Sequence, residues 1–192
     1  MIYVDTNVIV SLIVGDDNGA AAERWYSQQS VPLAISAWSV AEFYSHIGLR
    51  CRKSFETIQN ATRIIDAFDA LIPTNLTLLK SSDAAILRAS TWLRSPSCAL
   101  QAADALHLVI ALENEAAAIV TFDVRFAKGI EKLRIAGLKV IALPATGDDL
   151  HQARQARAKY NVTERDITKA VASARKRKTA ERKSAPRLTV RG

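Results

Sequence analysis

Short apolar runs alternate with longer segments of helical periodicity from the first residues of this chain to about residue 142. Strand-like runs are predicted at residues 2–4, 33–35, 71–73, 118–121 and 139–142. Helical patterns are predicted at residues 8–14, 20–30, 37–50, 54–68, 77–93, 100–115 and 126–136, with Ser36 as the N-cap of the third helix. Strands that alternate with helices of this length are typical of βαβ units. The chain is therefore expected to fold as a single α/β domain around a parallel sheet.

Four acidic residues stand in or directly after these apolar segments, at Asp5, Glu42, Asp104 and Asp123. A carboxylate rarely lies among apolar residues unless it is paired or binds a metal, and few basic residues accompany these four. Asp5 and Asp123 follow strands, so both should emerge at the carboxyl edge of the sheet. Glu42 and Asp104 lie about one to two turns into their helices and are expected to lean over the same edge.

Carboxylates gathered at one edge need a cation. Two of them about 4 Å apart repel by roughly 4 kcal/mol at an effective dielectric near 20. Mg²⁺ or Mn²⁺ suits oxygen ligands, and the sequence has no His/Cys cluster of the kind that favours zinc. Such a site is able to activate water and to stabilise charge on a phosphodiester.

Each acid also has a simpler interpretation. Asp5 and Asp123 both precede helices and are in position to act as N-caps, and Glu42 fits a solvated helical position. Asp104 is hardest to explain in this way, because the helix around it is apolar on nearly all sides. His107, one turn after Asp104, is expected to have a structural or supporting role. The combination of four acids favours a functional site.

The sequence around these acids resembles the motifs of the PIN domain, and their order and spacing are similar to VapC-type toxins of bacterial toxin–antitoxin pairs. The matching strings are Tyr3-Val4-Asp5-Thr6-Asn7, Ser39-Val40-Ala41-Glu42-Phe43, Ala103-Asp104-Ala105-Leu106-His107 and Val120-Thr121-Phe122-Asp123. The resemblance covers about residues 1–145. It implies a five-stranded parallel sheet and a magnesium-dependent endoribonuclease, usually a homodimer, that is inhibited by a small antitoxin.

The same resemblance implies roles for individual residues. Asp5, Asp104 and Asp123 would bind the metal, with Glu42 binding directly or through water, and a metal-activated water would attack phosphorus. The supporting polar groups would be Thr6, Asn7 and Thr121.

Two other classes of function stay open at this point. One is a non-toxin PIN-domain protein that binds or processes RNA and keeps the acids only as a structural metal site. The other is a different magnesium enzyme, such as a phosphatase. A phosphatase of that kind usually has a second Asp two residues after its nucleophilic Asp, and Asn7 stands there instead.

Charge is distributed unevenly along the chain. The net charge is +7, yet residues 1–149 hold 13 Lys and Arg against 16 Asp and Glu, whereas residues 150–192 hold 13 against 3. We therefore predict a PIN-like nuclease domain over residues 1–147 and a basic, partly helical extension over residues 148–192 whose end is disordered. The candidate RNA-binding residues are Arg125, Arg175, Lys176, Arg177 and Lys178.

The extension has three possible roles. It can bind RNA phosphates without reading sequence, it can cover the acidic site as an antitoxin segment would, or it can be a solvated appendage. Residues 163–166, Thr-Glu-Arg-Asp, fit a capping box at the start of a helix.

The remaining features indicate a cytoplasmic protein. Charged residues interrupt every apolar stretch before it reaches the roughly 18 residues of a membrane span. The N-terminus lacks the pattern of a signal peptide. Cys51 and Cys98 have no CxxC partner and are expected to be reduced thiols.

Overall fold

The computed structural model describes residues 1–145. The strands are β1 (Ile2–Val4), β2 (Leu33–Ser36), β3 (Leu76–Leu79), β4 (Ala118–Thr121) and β5 (Lys139–Ala142). The helices in this part of the chain are α1 (Thr6–Val14), α2 (Gly19–Ser27), α3 (Ala37–Arg52), α4 (Ile58–Asn75), α5 (Asp83–Leu93), α6 (Ala102–Glu113) and α7 (Val124–Leu133). All strand pairs are parallel and the sheet order is β3-β2-β1-β4-β5. The predicted α/β fold with a five-stranded parallel sheet is confirmed.

The period-two alternation of the strands divides the core between the two faces of the sheet. Tyr3, Ala34 and Ile119 face a cluster built with α5, α6 and α7, which contribute Leu108 and Phe126 among others. The residue that follows each of these along its strand faces the opposite side of the sheet, namely Val4, Ile35 and Val120. The cluster on that side is built with α1, α2, α3 and α4. Both faces are therefore covered by helices, as a parallel sheet requires.

One strand lies later in the sequence than predicted. Residues 71–73, predicted as a strand, belong to α4, and Pro73 lies inside that helix. Residues 77–79, predicted as the start of a helix, belong to β3, which pairs with β2 from Leu33↔Leu76 to Ser36↔Leu79. A short apolar run suits either a strand or a buried helix turn, and only the available edge of β2 decides between them.

The other boundaries differ by a few residues at most helix ends. Gly15 ends α1 in the left-handed conformation at φ 64°, as expected for a glycine C-cap. Helix α4 begins at Ile58 rather than at residue 54, because the side chain of Thr57 accepts a hydrogen bond from the Asn60 amide and caps the helix there.

Several predictions concern residues that the structure does not describe. The domain boundary near residue 147, the extension over residues 148–192 and the basic residues Arg175, Lys176, Arg177 and Lys178 lie outside residues 1–145. None of the helices in residues 1–145 combines the length and the apolar character needed to cross a membrane.

Candidate active site

The four acids all lie at the carboxyl edge of the sheet. Asp5 directly follows β1, Asp123 lies two residues after the end of β4, and Glu42 and Asp104 lie in α3 and α6. Their charges interact: those of Glu42 and Asp104 act on Asp5, and that of Asp123 acts on Asp104. The structure thus brings together the acids that the sequence predicted at one edge.

Asp5 is the most buried of the four, with 7% of its surface exposed. Its Oδ2 accepts hydrogen bonds from Thr121 Oγ1 at 2.6 Å and from Asn7 Nδ2 at 2.7 Å. It occupies the N-cap position of α1, but its side chain makes no cap hydrogen bond. Burial raises the pKa of Asp5 above its ordinary value, and the neighbouring acids add to the effect, although His107 and Thr121 oppose it. The simple helix-cap interpretation therefore fails for Asp5.

Asn7 and Thr121 connect Asp5 to the end of β4. Asn7 Nδ2 also donates to Thr121 Oγ1 at 3.0 Å, and Asn7 Oδ1 accepts from the Phe122 amide at 3.1 Å. Thr121 Oγ1 accepts from the Asp123 amide at 2.9 Å. Because Thr121 is fully buried, these bonds position both the Asp5 carboxylate and the backbone at Asp123.

Glu42 is held by a threonine and a histidine. Its Oε2 accepts from Thr6 Oγ1 at 2.6 Å and lies 2.7 Å from His107 Nε2. Burial acts to raise the pKa of Glu42, but the hydrogen bond and charge of His107, together with the Thr6 bond, outweigh it and lower the pKa. Thr6 therefore supports Glu42 rather than Asp5.

His107 connects two of the acids from beneath the site. It is 3% exposed, and its Nε2 lies 3.8 Å from Asp5 Oδ1 as well as beside Glu42. Burial acts to lower the pKa of His107, but the hydrogen bond to Glu42 and the charges of the acids outweigh it and raise the pKa. The supporting role expected for His107 has a structural basis, because its ring contacts Glu42, lies near Asp5 and carries a positive charge when protonated.

A tyrosine that sequence reasoning did not identify completes this network. The hydroxyl of fully buried Tyr3 lies 2.7 Å from His107 Nδ1 and donates to Ser36 Oγ at 2.8 Å. Ser36 Oγ also accepts from the Ser39 amide at 3.0 Å, the cap bond predicted for α3. Tyr3 has one hydroxyl proton. When that proton is donated to Ser36, a hydrogen bond between Tyr3 and His107 requires a proton on Nδ1. A second proton on Nε2, which faces the Glu42 carboxylate, would make the ring an imidazolium.

No sequence pattern pointed to the Tyr3 hydroxyl as part of the site. A tyrosine in a short apolar strand resembles any aromatic core residue, and its polar end becomes informative only when α6 places His107 beside it. The sequence pattern closest to this network is the Ser-x-x-Ser spacing of Ser36 and Ser39. It indicates the start of a helix, but it does not indicate that the Tyr3 hydroxyl bonds there.

Asp104 and Asp123 each use one oxygen to begin a helix. Asp104 Oδ2 accepts from the Gln101 amide at 3.2 Å, and Asp123 Oδ1 accepts from the amides of Arg125 at 2.7 Å and Phe126 at 3.1 Å. Burial raises the pKa of Asp104; the Gln101 bond opposes this, and the charge of Asp123 adds to it. The capping interpretation is thus correct for Asp123, the N-cap of α7. Asp104, for which no capping role was predicted, is the third residue of α6 and bonds the amide of its N-cap residue. These bonds account for only one oxygen of each acid.

The remaining oxygens are the ones available to a cation. Within residues 1–145, no hydrogen bond reaches Oδ1 of Asp5, Oδ1 of Asp104 or Oδ2 of Asp123. No three Asp, Glu, His or Cys side chains in that range, however, are grouped closely enough to hold an ion directly. The donor set fits Mg²⁺, which keeps several waters and takes only one or two carboxylates directly.

Arg125 lies at the rim of the site. Its side chain is 83% exposed, and its Nε is 3.9 Å from Asp123 Oδ1. An exposed pair at this distance contributes little to stability, so the guanidinium is available to a ligand. Arg125 is the one candidate RNA-binding residue that falls within the described part of the chain.

Comparison with known proteins shows what the chain is similar to. The family model of the PIN domain matches residues 2–132. No curated protein matches the sequence. Similar solved structures include VapC20 from Mycobacterium tuberculosis, a toxin that cleaves the sarcin–ricin loop, at 19% identity and a TM-score of 0.56. That match covers 67% of this chain and 94% of VapC20.

Two further structures have a similar fold. FitAcB from Neisseria gonorrhoeae is 16% identical with a TM-score of 0.54, and the match covers 73% of this chain and 96% of FitAcB. VapBC2 from Rickettsia felis, bound to a fragment of its promoter DNA, is 21% identical with a TM-score of 0.50, and the match covers 75% of this chain and 100% of the other. At these identities, the likeness concerns the fold.

Proposed function

Because this chain belongs to the PIN-domain family, we propose that it is a magnesium-dependent endoribonuclease and the toxin of a toxin–antitoxin pair. The observation that carries the proposal is the set of carboxylates at one sheet edge, three of which keep an oxygen without a hydrogen bond inside residues 1–145. Asp5 Oδ1 lies 3.8 Å from His107 Nε2, beyond hydrogen-bond distance. A purely structural role gives no reason for three acids at one edge each to keep an oxygen without a hydrogen bond.

Mg²⁺, or Mn²⁺ in its place, would be held by Asp5, Asp104 and Asp123, with one or two of these carboxylates binding directly and the remainder through water. When bound, such an ion supplies charge neutralisation, activation of water and stabilisation of a phosphodiester in the transition state. Glu42 would act through water, because its Oε2 is already shared by Thr6 and His107. Mg²⁺ commonly retains such waters.

The protein groups around the acids would keep them ready for this chemistry. Thr121 and Asn7 hold Oδ2 of Asp5. Thr6 and His107 hold Oε2 of Glu42. Because these partners are buried or half-buried side chains at strand and helix ends, the carboxylates are preorganised rather than free to rotate.

The substrate would be RNA. Arg125 at the rim would bind a backbone phosphate near the cleaved bond, and the basic extension, with Arg175, Lys176, Arg177 and Lys178, would add contacts to the RNA that are independent of sequence. The toxin assignment agrees with the folds of VapC20 and FitAcB and with the sequence motifs.

A small antitoxin and a second copy of the chain would be its protein partners. Exposed apolar side chains suitable for such contacts occur in two places. Phe55 and Ile58, at the junction of α3 and α4, are 68% and 80% exposed, and Ile86 and Leu87 on α5 are 50% and 70% exposed. Apolar surface of this kind commonly marks protein interfaces.

The direct experiment is a cleavage assay on structured and single-stranded RNA with the purified full chain. Cleavage is expected with Mg²⁺ or Mn²⁺ and not in EDTA, and it should return when excess Mg²⁺ is added. Asp5→Asn should be inactive under all these conditions. Cleavage that is undiminished in EDTA, or retained by Asp5→Asn, would contradict a metal-dependent mechanism at these acids.

A further inference from the structure

Helix α7 exposes a row of three basic side chains. Arg125, Lys128 and Lys132 recur at intervals of three and four residues, which places them within about 60° of one another around the helix axis. All three are exposed. The opposite side of the helix is buried in the core through Phe126, Ala127, Gly129 and Ile130. Core packing therefore holds this row of charges toward solvent.

The row begins at the acidic site. Asp123 is the N-cap of α7, Arg125 lies beside it, and the charge of Arg125 also acts on Asp104. From Arg125 to Lys132 the helix rises about 10 Å. The positive charges thus lead directly away from the carboxylates.

The two lysines have no partner in the described part of the chain. Within residues 1–145, neither Lys128 nor Lys132 forms an ion pair or a side-chain hydrogen bond. Glu131, the acidic residue of α7, lies to one side of the row. The charge of this surface is therefore available to an external ligand.

We propose that Lys128 and Lys132 bind consecutive stretches of the RNA backbone, so that the substrate strand leaves the acidic site along α7. The proposal rests on the ribonuclease function proposed above and adds the path of the strand. Lysine ammonium groups bind phosphates as point charges, and several along a surface give affinity that does not depend on sequence. An acidic protein segment is the alternative ligand, but lysine is depleted in protein–protein interfaces. The row of basic residues also begins beside Asp123, which favours the RNA substrate over an acidic protein segment as its ligand.

The test is the salt dependence of RNA binding by the full chain carrying Lys128→Gln and Lys132→Gln together. Affinity for a fluorescein-labelled single-stranded RNA of about ten nucleotides is measured by anisotropy in EDTA, so that cleavage does not interfere. The matched control is Lys53→Gln with Lys80→Gln. It removes the same charge from two exposed lysines, one at the end of α3 and one after β3, the edge strand farthest from β5.

Loss of two phosphate contacts should reduce the slope of log affinity against log salt by about 1.4, at about 0.7 per contact for single strands. The loss of affinity between about 50 mM and about 200 mM salt would then be about sevenfold smaller than for the parent chain. The control variant should keep the parent slope. Thermal melts of both variants check that they fold.

The outcomes are distinct. A reduced slope in the α7 variant alone supports the proposal. This holds even if the parent chain fails to cleave RNA with any metal ion, because that failure would count only against the ribonuclease function. Equal slopes in the α7 variant, the control and the parent overturn it. An unchanged RNA slope combined with weaker binding of poly-glutamate would also overturn it and would assign the surface to an acidic protein segment.

Discussion

The imidazole Nε2 of His107 lies 2.7 Å from Oε2 of Glu42, so a buried histidine holds one of the four acids from the protein side. The opposite side of the ring is held by Tyr3 at 2.7 Å. His107, whose charge depends on its protonation, therefore lies beneath the carboxylates. Its titration links the stability of the domain to pH.

Stability without metal should depend on pH through this histidine. The pKa of His107 is raised from its ordinary value of 6.5, so its contribution is fully present below pH 6.5 and is lost as the pH rises through the folded-state pKa. The pKa of Asp5 is raised as well and acts in the same direction. In EDTA, the Tm should fall as the pH is raised above 6.5, and His107→Asn should show a smaller fall.

His46→Asn is the matched control for this measurement. The pKa of His46 is lowered by burial and by the charge of Arg50, so its effect on stability is confined to pH values below about 6.5. It should leave the alkaline part of the profile unchanged. The same alkaline slope in His107→Asn as in the parent chain would show that His107 does not act as this cation.

Asp104→Asn should abolish cleavage and leave the fold intact. The amide keeps an oxygen for the Gln101 bond, whereas the negative charge that burial and Asp123 disfavour is removed. In EDTA at neutral pH, the Tm should therefore be equal to or higher than that of the parent. Asp66→Asn, an exposed position on α4, should change neither cleavage nor Tm. A large drop in Tm for Asp104→Asn would assign Asp104 a structural role instead.

Tyr3→Phe should destabilise the domain and weaken catalysis together. The hydroxyl bonds His107 and Ser36 in a fully buried place, and groups left without a partner there cost about 1–3 kcal/mol. His107 would also lose the contact that positions its ring against Glu42. The measurements are thermal melting and cleavage rate. Tyr44→Phe, which removes an exposed hydroxyl bonded to Asp69, is the control and should have little effect on either.

Expression of the chain without the proposed antitoxin should arrest growth of a bacterial host. Asp5→Ala should relieve the arrest, because it removes the most buried of the acids proposed to hold the metal. Colony counts after induction, with protein levels compared by immunoblot, measure the effect. Equal toxicity of the two forms would point to a nonspecific action of the basic extension rather than to ribonuclease activity.

Deletion of residues 148–192 should weaken RNA binding and flatten its salt dependence, because 13 of the 26 basic residues lie after residue 149. Anisotropy titrations over a range of salt, with cleavage assayed in parallel, test this. An increase in activity would instead mean that the extension covers the acidic site. If affinity, slope and activity are all unchanged, the extension has neither role.

Much of the architecture follows from local patterns in the sequence. Two strands were predicted directly from their apolar content, at residues 2–4 and 118–121. The end of α1 was predicted from Gly15, because glycine readily adopts the left-handed conformation of a C-cap. The positions of Asp5 and Asp123 after strands then place both acids at one edge, since parallel strands share a carboxyl edge.

The tertiary structure decided what local pattern left ambiguous. Residues 76–79 became a strand because β2 offers an edge for them to pair with, and a segment of three leucines and one threonine is too short for its periodicity to settle the matter. In the same way, only packing brings the Tyr3 hydroxyl, the His107 ring and Glu42 into one chain of short contacts, since they come from three elements and lie at least 39 residues apart in the sequence. The sequence determined which acids meet. Long-range contacts determined which neighbours hold each of them, because hydrogen-bond partners depend on distances that no local pattern encodes.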